Sequence, residues 1–205
     1  SGCINIVPSQ AGKTMWCKRL LKCAKDVFDT DINKIYWYYG MWNQGLLDFK
    51  DDKNVIVREG MPTSASEIEP NSIVVIDDLI GEDFSHIFTT WTHHIPCFCI
   101  KITQNLYHRS KDRTTNTSAQ YLVLLKYPGD KLTIKTLTNQ MQKPWVMQVY
   151  EDVTTKPYSY LFIDLHQQTP EAIRVRTNIL PGEGILTVFT EKRVKKYRKK
   201  YNYNI

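Results

Sequence analysis

Three groups of residues in this 205-residue chain have the types and spacing to do chemistry. The first is "PSQAGKT" (8–14), which ends in Gly12-Lys13-Thr14. Glycine lets a backbone approach an anion closely, a lysine in that place reaches phosphate oxygens, and a hydroxyl can ligate Mg²⁺. Pro8, Ser9, Gln10, Ala11, Gly12, Lys13, Thr14 and Met15 therefore form the expected nucleotide cradle. Lys13 would serve the β- and γ-phosphates and Thr14 the metal. The second group is "IVVIDD" (73–78), an apolar run that delivers two acids. There Asp77 would hold Mg²⁺ through its water shell, and Asp78 would orient or deprotonate an attacking water. The third is Gln104, which closes "CFCIKIT" (97–103) and is placed to sense or position groups at a terminal phosphate.

Each reading has a plainer rival. "GKT" occurs by chance in many chains, and paired aspartates often only cap the next element. Gln104 could be a hydrogen-bonded strand-end amide. Arg109 and Arg113 in "NLYHRSKDRTTNTSAQ" (105–120) could offset charge on a transferred phosphoryl group, or simply be solvated. The loop pattern is also incomplete: G-x-x-x-x-G-K-[ST] needs a glycine where Val7 stands. If Val7 had to take a positive φ, strain of about 1–3 kcal/mol would follow.

These groups need elements to hold them. "CINIV" (3–7) reads as a strand, and "MWCKRLLKCAKDVF" (15–28) repeats its apolar residues at helical spacing. Strand, loop and helix in that order are the context a phosphate loop requires. Further strands are expected at "KIYWYYG" (34–40), "NVIVREG" (54–60), "NSIVVIDDL" (71–79), "CFCIKIT", "YLVLLKY" (121–127), "YSYLFIDL" (158–165) and "IRVRTNI" (173–179). The last alternates like an edge or half-solvated strand. Helices are expected over 81–94, 129–141 and 144–154. Interleaved strands and helices predict an α/β fold, with a mostly parallel central sheet flanked by helices.

Net charge is +6, and segment 191–200 carries all of it with seven Lys/Arg against one Glu. The chain is expected to divide into a P-loop domain (1–184) and a basic, Tyr-containing tail (185–205). Tyr197, Tyr201 and Tyr203 interleave the basic residues. Such a tail is a solvated run, a nucleic-acid contact or an import signal. No apolar run approaches the roughly 18 residues of a membrane span. No signal peptide is visible, and the opening Ser1 reads as a trimmed start. The five cysteines, an odd number, suit a reducing compartment. "HHIPCFC" (93–99) invites a zinc reading, but no second Cys/His cluster follows at zinc spacing. Cys97 and Cys99 read better as buried strand residues.

The order GKT, "VVIDDL", "KITQNLYHR" resembles the FtsK–HerA superfamily. The closest likeness is to viral genome-packaging ATPases of the poxvirus type, also carried by Polinton (Maverick) elements and adinto- and adoma-like viruses. "REGMP" (58–62), "THHIPCFCIKITQNL" (92–106), "DRTTNTSAQYLVLLKYPGD" (112–130) and "PYSYLFIDLHQQTPEAIRVRTNILPGE" (157–183) extend it across roughly 3–183. The resemblance implies a RecA-like P-loop NTPase core using ATP and Mg²⁺. It implies a homo-oligomeric ring that drives double-stranded DNA into a viral capsid at its portal vertex. It places the protein in the host nucleus, a cytoplasmic viral factory or the virion. Lys13, Thr14, Asp77, Asp78 and Gln104 keep the roles above. Arg113 and Arg176 match recurring arginines of this branch, either of which could act on a neighbour's nucleotide.

Two positions depart from the branch: Val7, and Gly129 in "YPGD" where relatives carry a basic residue. Two other functions stay open on sequence. One is a small-molecule kinase with residues 105–120 as its lid. The other is a nucleotide-binding relic whose loop no longer closes.

Overall fold

The computed structural model describes residues 2–7, 12–42, 44–49, 51–79, 95–103, 119–129 and 131–191, with the backbone of 199–200. Ten strands form one sheet in the order β10-β9-β8-β7-β6-β1-β5-β4-β2-β3. They are β1 (Gly2–Val7), β2 (Lys34–Tyr39), β3 (Val55–Glu59), β4 (Ser72–Asp77), β5 (Cys97–Ile102), β6 (Tyr121–Leu125), β7 (Tyr160–Asp164), β8 (Val175–Thr177), β9 (Thr187–Phe189) and β10 (Lys199–Lys200). The six from β6 to β3 run parallel; β7 to β10 extend the sheet antiparallel. The fold is α/β with a mostly parallel sheet, as the sequence pattern predicts.

The central strands are apolar throughout because both faces are covered. Every residue of β1 and β4 is buried. Helix α1 (Lys13–Lys22) lays Trp16, Cys17, Leu20 and Leu21 on one face, against Ile6, Trp37, Val75 and Ile100. Helices α3 (Lys131–Gln140) and α4 (Trp145–Val153) cover the other through Ile134, Val146, Val149 and Tyr150. The Tyr150 hydroxyl donates to the Leu125 carbonyl and accepts from the Tyr127 N–H, both at 2.9 Å, and so finishes β6.

The structure corrects the sequence reading in three places. The helical pattern over 15–28 is broken at Cys23, where the short α2 (Ala24–Val27) begins. The Cys23 N–H is shared between the Arg19 and Leu20 carbonyls, the Cys23 thiol also donates to the Arg19 carbonyl, and the Cys23 backbone leaves helical geometry at ψ 25. Of the two alternatives for 173–179, the half-solvated strand holds and the edge does not: β8 pairs with β7 and β9, and its alternation reflects the half-buried Arg176. The sheet also continues past residue 184, because Thr187 and Val188 of β9 pair with both β8 and β10. The expected helix over 81–94 lies outside the described residues.

Cys97 and Cys99 are buried on one face of β5. Among the described residues, no His/Cys/Asp/Glu group is arranged to hold a metal, and no helix is long and apolar enough to cross a membrane.

At the middle of the sheet, Ile100 is fully buried between β1 and β4. Ile100→Ala should cost about 3 kcal/mol of unfolding free energy, read as a lower urea midpoint.

Candidate functional site

Parallel strands deliver their carboxyl ends to one rim, where α/β folds bind ligands. Here β5 lies between β1 and β4, so the loop after β1 and the acids after β4 sit two strand spacings apart, about 9–10 Å. The ends are level. The Thr103 N–H bonds the Ile6 carbonyl and the Asp78 N–H bonds the Ile102 carbonyl, each at 3.1 Å.

Helix α1 starts at this rim. Its first internal bond runs from the Trp16 N–H to the Gly12 carbonyl at 2.8 Å. No side chain caps it and no acid lies in its first turn, while Arg19 and Lys22 occupy its last. Among the described residues nothing caps the first N–H groups, and with the positive end of the dipole they can receive an anion. Lys13 and Thr14 are half-buried there; Met15 is 54% exposed and contributes backbone only. Val7 is an ordinary buried strand residue in register with Leu124, outside the set of positive-φ residues. The strain expected of a non-glycine at that position does not arise in the strand.

Lys13 and the two aspartates share one poorly solvated site. Burial pulls the Lys13 pKa down, and the Asp78 and Asp77 charges oppose that. Burial pushes Asp77 up to about 6, against the pull of Lys13 and of a hydrogen bond from Trp37, with Asp78 adding to the rise. A cation and a carboxylate, Lys13 and Asp77, that still strain against burial are short of countercharge, which suits a site that takes Mg²⁺ with phosphate.

Two residues absent from the sequence reading position this cluster. The Trp37 indole N–H donates to Asp77 Oδ2 at 3.3 Å from a fully buried ring on β2. Gly40, which ends β2, donates its N–H to the Asp77 carbonyl at 3.0 Å. A Cβ on Gly40 would stand 2.7 Å from the Asp78 carbonyl oxygen. Asp78 itself has φ 50, a left-handed conformation of the kind that collects at functional sites. The glycine ending "KIYWYYG" was the available sequence signal.

Arg176 lies elsewhere. It pairs with Asp164 at 2.6 Å and sits 5.2 Å from the Phe162 ring. Asp164 is opposite Tyr121, the first residue of β6, so this pair marks the rim away from Lys13. Pro8, Ser9, Gln10, Ala11, Gln104, Arg109 and Arg113 lie outside the described residues.

A mostly parallel α/β sheet, with a basic helix start and paired acids on one rim, is a P-loop NTPase-like fold. Solved structures agree. The genome-packaging NTPase B204 of Sulfolobus turreted icosahedral virus 2, in complex with ATP-gammaS, superposes with a TM-score of 0.52 at 12% identity, covering 86% of this chain and 95% of that one. B204, the DNA-packaging ATPase of Sulfolobus turreted icosahedral virus, gives 0.51 at 13% identity over 86% and 96%. At such identities the likeness is one of fold. No protein-family model and no curated protein sequence matches the chain.

The native Asp77 pKa lies above its unfolded value of about 4, so the native state holds an extra proton between about pH 4 and 6. Stability without ligand should fall as pH rises through that window. Asp77→Asn should remove the fall and stabilise the ligand-free protein by about 2 kcal/mol at pH 8, with the difference closing near pH 4 in denaturant titrations. Gly40→Ala, which forces the Asp78 backbone to move, should weaken Mg²⁺-dependent nucleotide binding at least about tenfold, an effect of about 1.4 kcal/mol in an ATP-analogue titration.

Proposed function

We propose that this protein is an ATP-hydrolysing motor with a RecA-like core that moves double-stranded DNA into a viral capsid as a ring of identical subunits. One observation carries the reading: Lys13, on an uncapped helix start, faces Asp77 and Asp78 across a single intervening strand. The structural likeness to DNA-packaging ATPases supports it.

Lys13 would bind the β- and γ-phosphates beside the free N–H groups of α1. Thr14 and Asp77 would hold Mg²⁺, with Trp37 fixing one carboxylate oxygen of Asp77. Mg²⁺, when bound, offsets charge that builds on the phosphate oxygens. Asp78 would orient the attacking water and take its proton. Gln104, the residue after Thr103, would sense the terminal phosphate between the two groups. Arg113 is the better candidate to reach a neighbour's nucleotide, because Arg176 is engaged by Asp164. The ordinary strand geometry of Val7 weakens the case for a relic that no longer closes on ATP.

ATPase assays with and without double-stranded DNA test the reading. Hydrolysis should rise with DNA, and Lys13→Ala and Asp78→Asn should each lower it at least about 100-fold with the fold intact by circular dichroism. Absence of hydrolysis with DNA, capsid and neighbouring subunits all supplied would overturn it. Phosphoryl transfer to a small acceptor in place of hydrolysis would favour a kinase.

A further inference from the structure

At the rim opposite Lys13, a cleft of about 570 Å³ opens between the sheet and the end of α1. Its lining includes Ser72, Cys97 and Tyr121, the first residues of β4, β5 and β6. An aromatic shelf forms its floor. Phe28 meets Phe98 edge-on at 4.8 Å, Phe98 lies 6.3 Å from Tyr121, and Tyr121 stacks on Phe162 at 5.7 Å. Arg176 ends the row over Phe162. The shelf crosses β1 only because residue 2 has no side chain: a Cβ on Gly2 would lie 2.5 Å from the Phe98 ring.

The polar groups around this shelf are unbalanced. Asp26, Asp29 and Asp164 line the cleft against a single cation, Arg176, which Asp164 already engages. Asp29 and Asp164 both act on the Tyr121 hydroxyl, and Asp26 and Asp29 are exposed. The Nε of Arg176 is buried with no hydrogen-bond partner in the described structure. A fitting occupant brings a flat ring for the shelf, an acceptor for that N–H, and positive charge for the free aspartates. A tyrosine beside lysines and arginines has all three.

The chain contains such a segment: "YRKKYNYNI" (197–205) places Tyr201 and Tyr203 just after Arg198, Lys199 and Lys200. The strand that leads into it, β10, points away from the cleft. Lys199 is level with Val188, which pairs with Arg176; Lys200 is level with Thr187, which pairs with Thr177. Thr177 lies on the side of Arg176 away from Asp164, so β10 runs from Lys199 to Lys200 away from the cleft rim.

We infer that the cleft is a docking site for Tyr201 or Tyr203 of a second copy of this chain, with the preceding basic residues held at Asp26 and Asp29. The contact is heterologous, tail into cleft, and so builds rings or filaments rather than closed pairs. It rests on the ring reading above only in needing a second copy. It makes no use of the nucleotide site.

Sedimentation velocity on the full chain tests it with two surface variants, Asp26→Lys/Asp29→Lys in the cleft and Tyr201→Ser/Tyr203→Ser in the tail. Each should raise the concentration needed for self-association at least about tenfold, with unchanged melting. An equimolar mixture should recover association but stop at dimers, since one intact tail then meets one intact cleft. The inference is overturned if both variants assemble like the parent chain, if the mixture stays monomeric, or if the tail variant loses only DNA binding. ATP-analogue binding measured on the same samples reports on the nucleotide site separately, so either reading can fail alone.

Discussion

The rim built by β1, β5 and β4 brings one lysine and two aspartates together, and burial works against the charges of Lys13 and Asp77 there. Charges taken from water need compensation, and mutual attraction supplies only part of it. The surrounding fold answers that shortage. A helix arrives with bare N–H groups, an indole donates to one carboxylate, and a glycine lets a neighbouring backbone close in. On the function proposed above, the electrostatic cost in the free protein would be the counterpart of affinity for a metal–phosphate ligand.

The strained element lies with the acids. The glycine missing from the phosphate-loop pattern suggests a cramped loop entrance, yet β1 ends on Val7 as a normal paired strand. The left-handed residue of this rim is Asp78, one step beyond β4. That conformation turns the chain sharply just after the Asp77 carboxylate. Gly40 at the end of β2 leaves room for the turn. The tolerance that a glycine would have given the loop is placed three strands away, after β2.

Much of this was legible in residue patterns, for physical reasons. Strands buried on both faces, such as β1 and β4, must be continuously apolar, and they read so. Asp77-Asp78 stand out because charged groups at the end of such a strand are otherwise costly, and Lys13 because Gly12-Lys13-Thr14 follows a strand and opens a helix. Trp37 and Gly40 were not legible, since an aromatic run ending in glycine looks like any strand and turn; only the β2–β4 pairing brings them to Asp77. The break at Cys23 was hidden because the apolar spacing continues across it. The place of Arg176 depends on the antiparallel register of β7 and β8, which no local pattern announces. Strand order is likewise a tertiary outcome: nothing in "CFCIKIT" says that it separates the other two strands.

The rear of α1 has its own anchor. Arg19 pairs at 3.1 Å with Glu183, whose carboxylate also accepts from the Tyr160 hydroxyl and, at 3.1 Å, from the Leu180 N–H. Tyr160 packs edge-on against Trp16, with ring centres 5.4 Å apart. The helix is thus a strut about 15 Å long, fixed behind to the antiparallel strands and presenting Lys13 in front. If those strands rock against the parallel core, either the Arg19–Glu183 tie breaks or the strut tilts and carries the lysine with it. Alongside the direct β6–β7 pairing, this helix gives movement of the outer strands a mechanical route to the rim that carries Lys13.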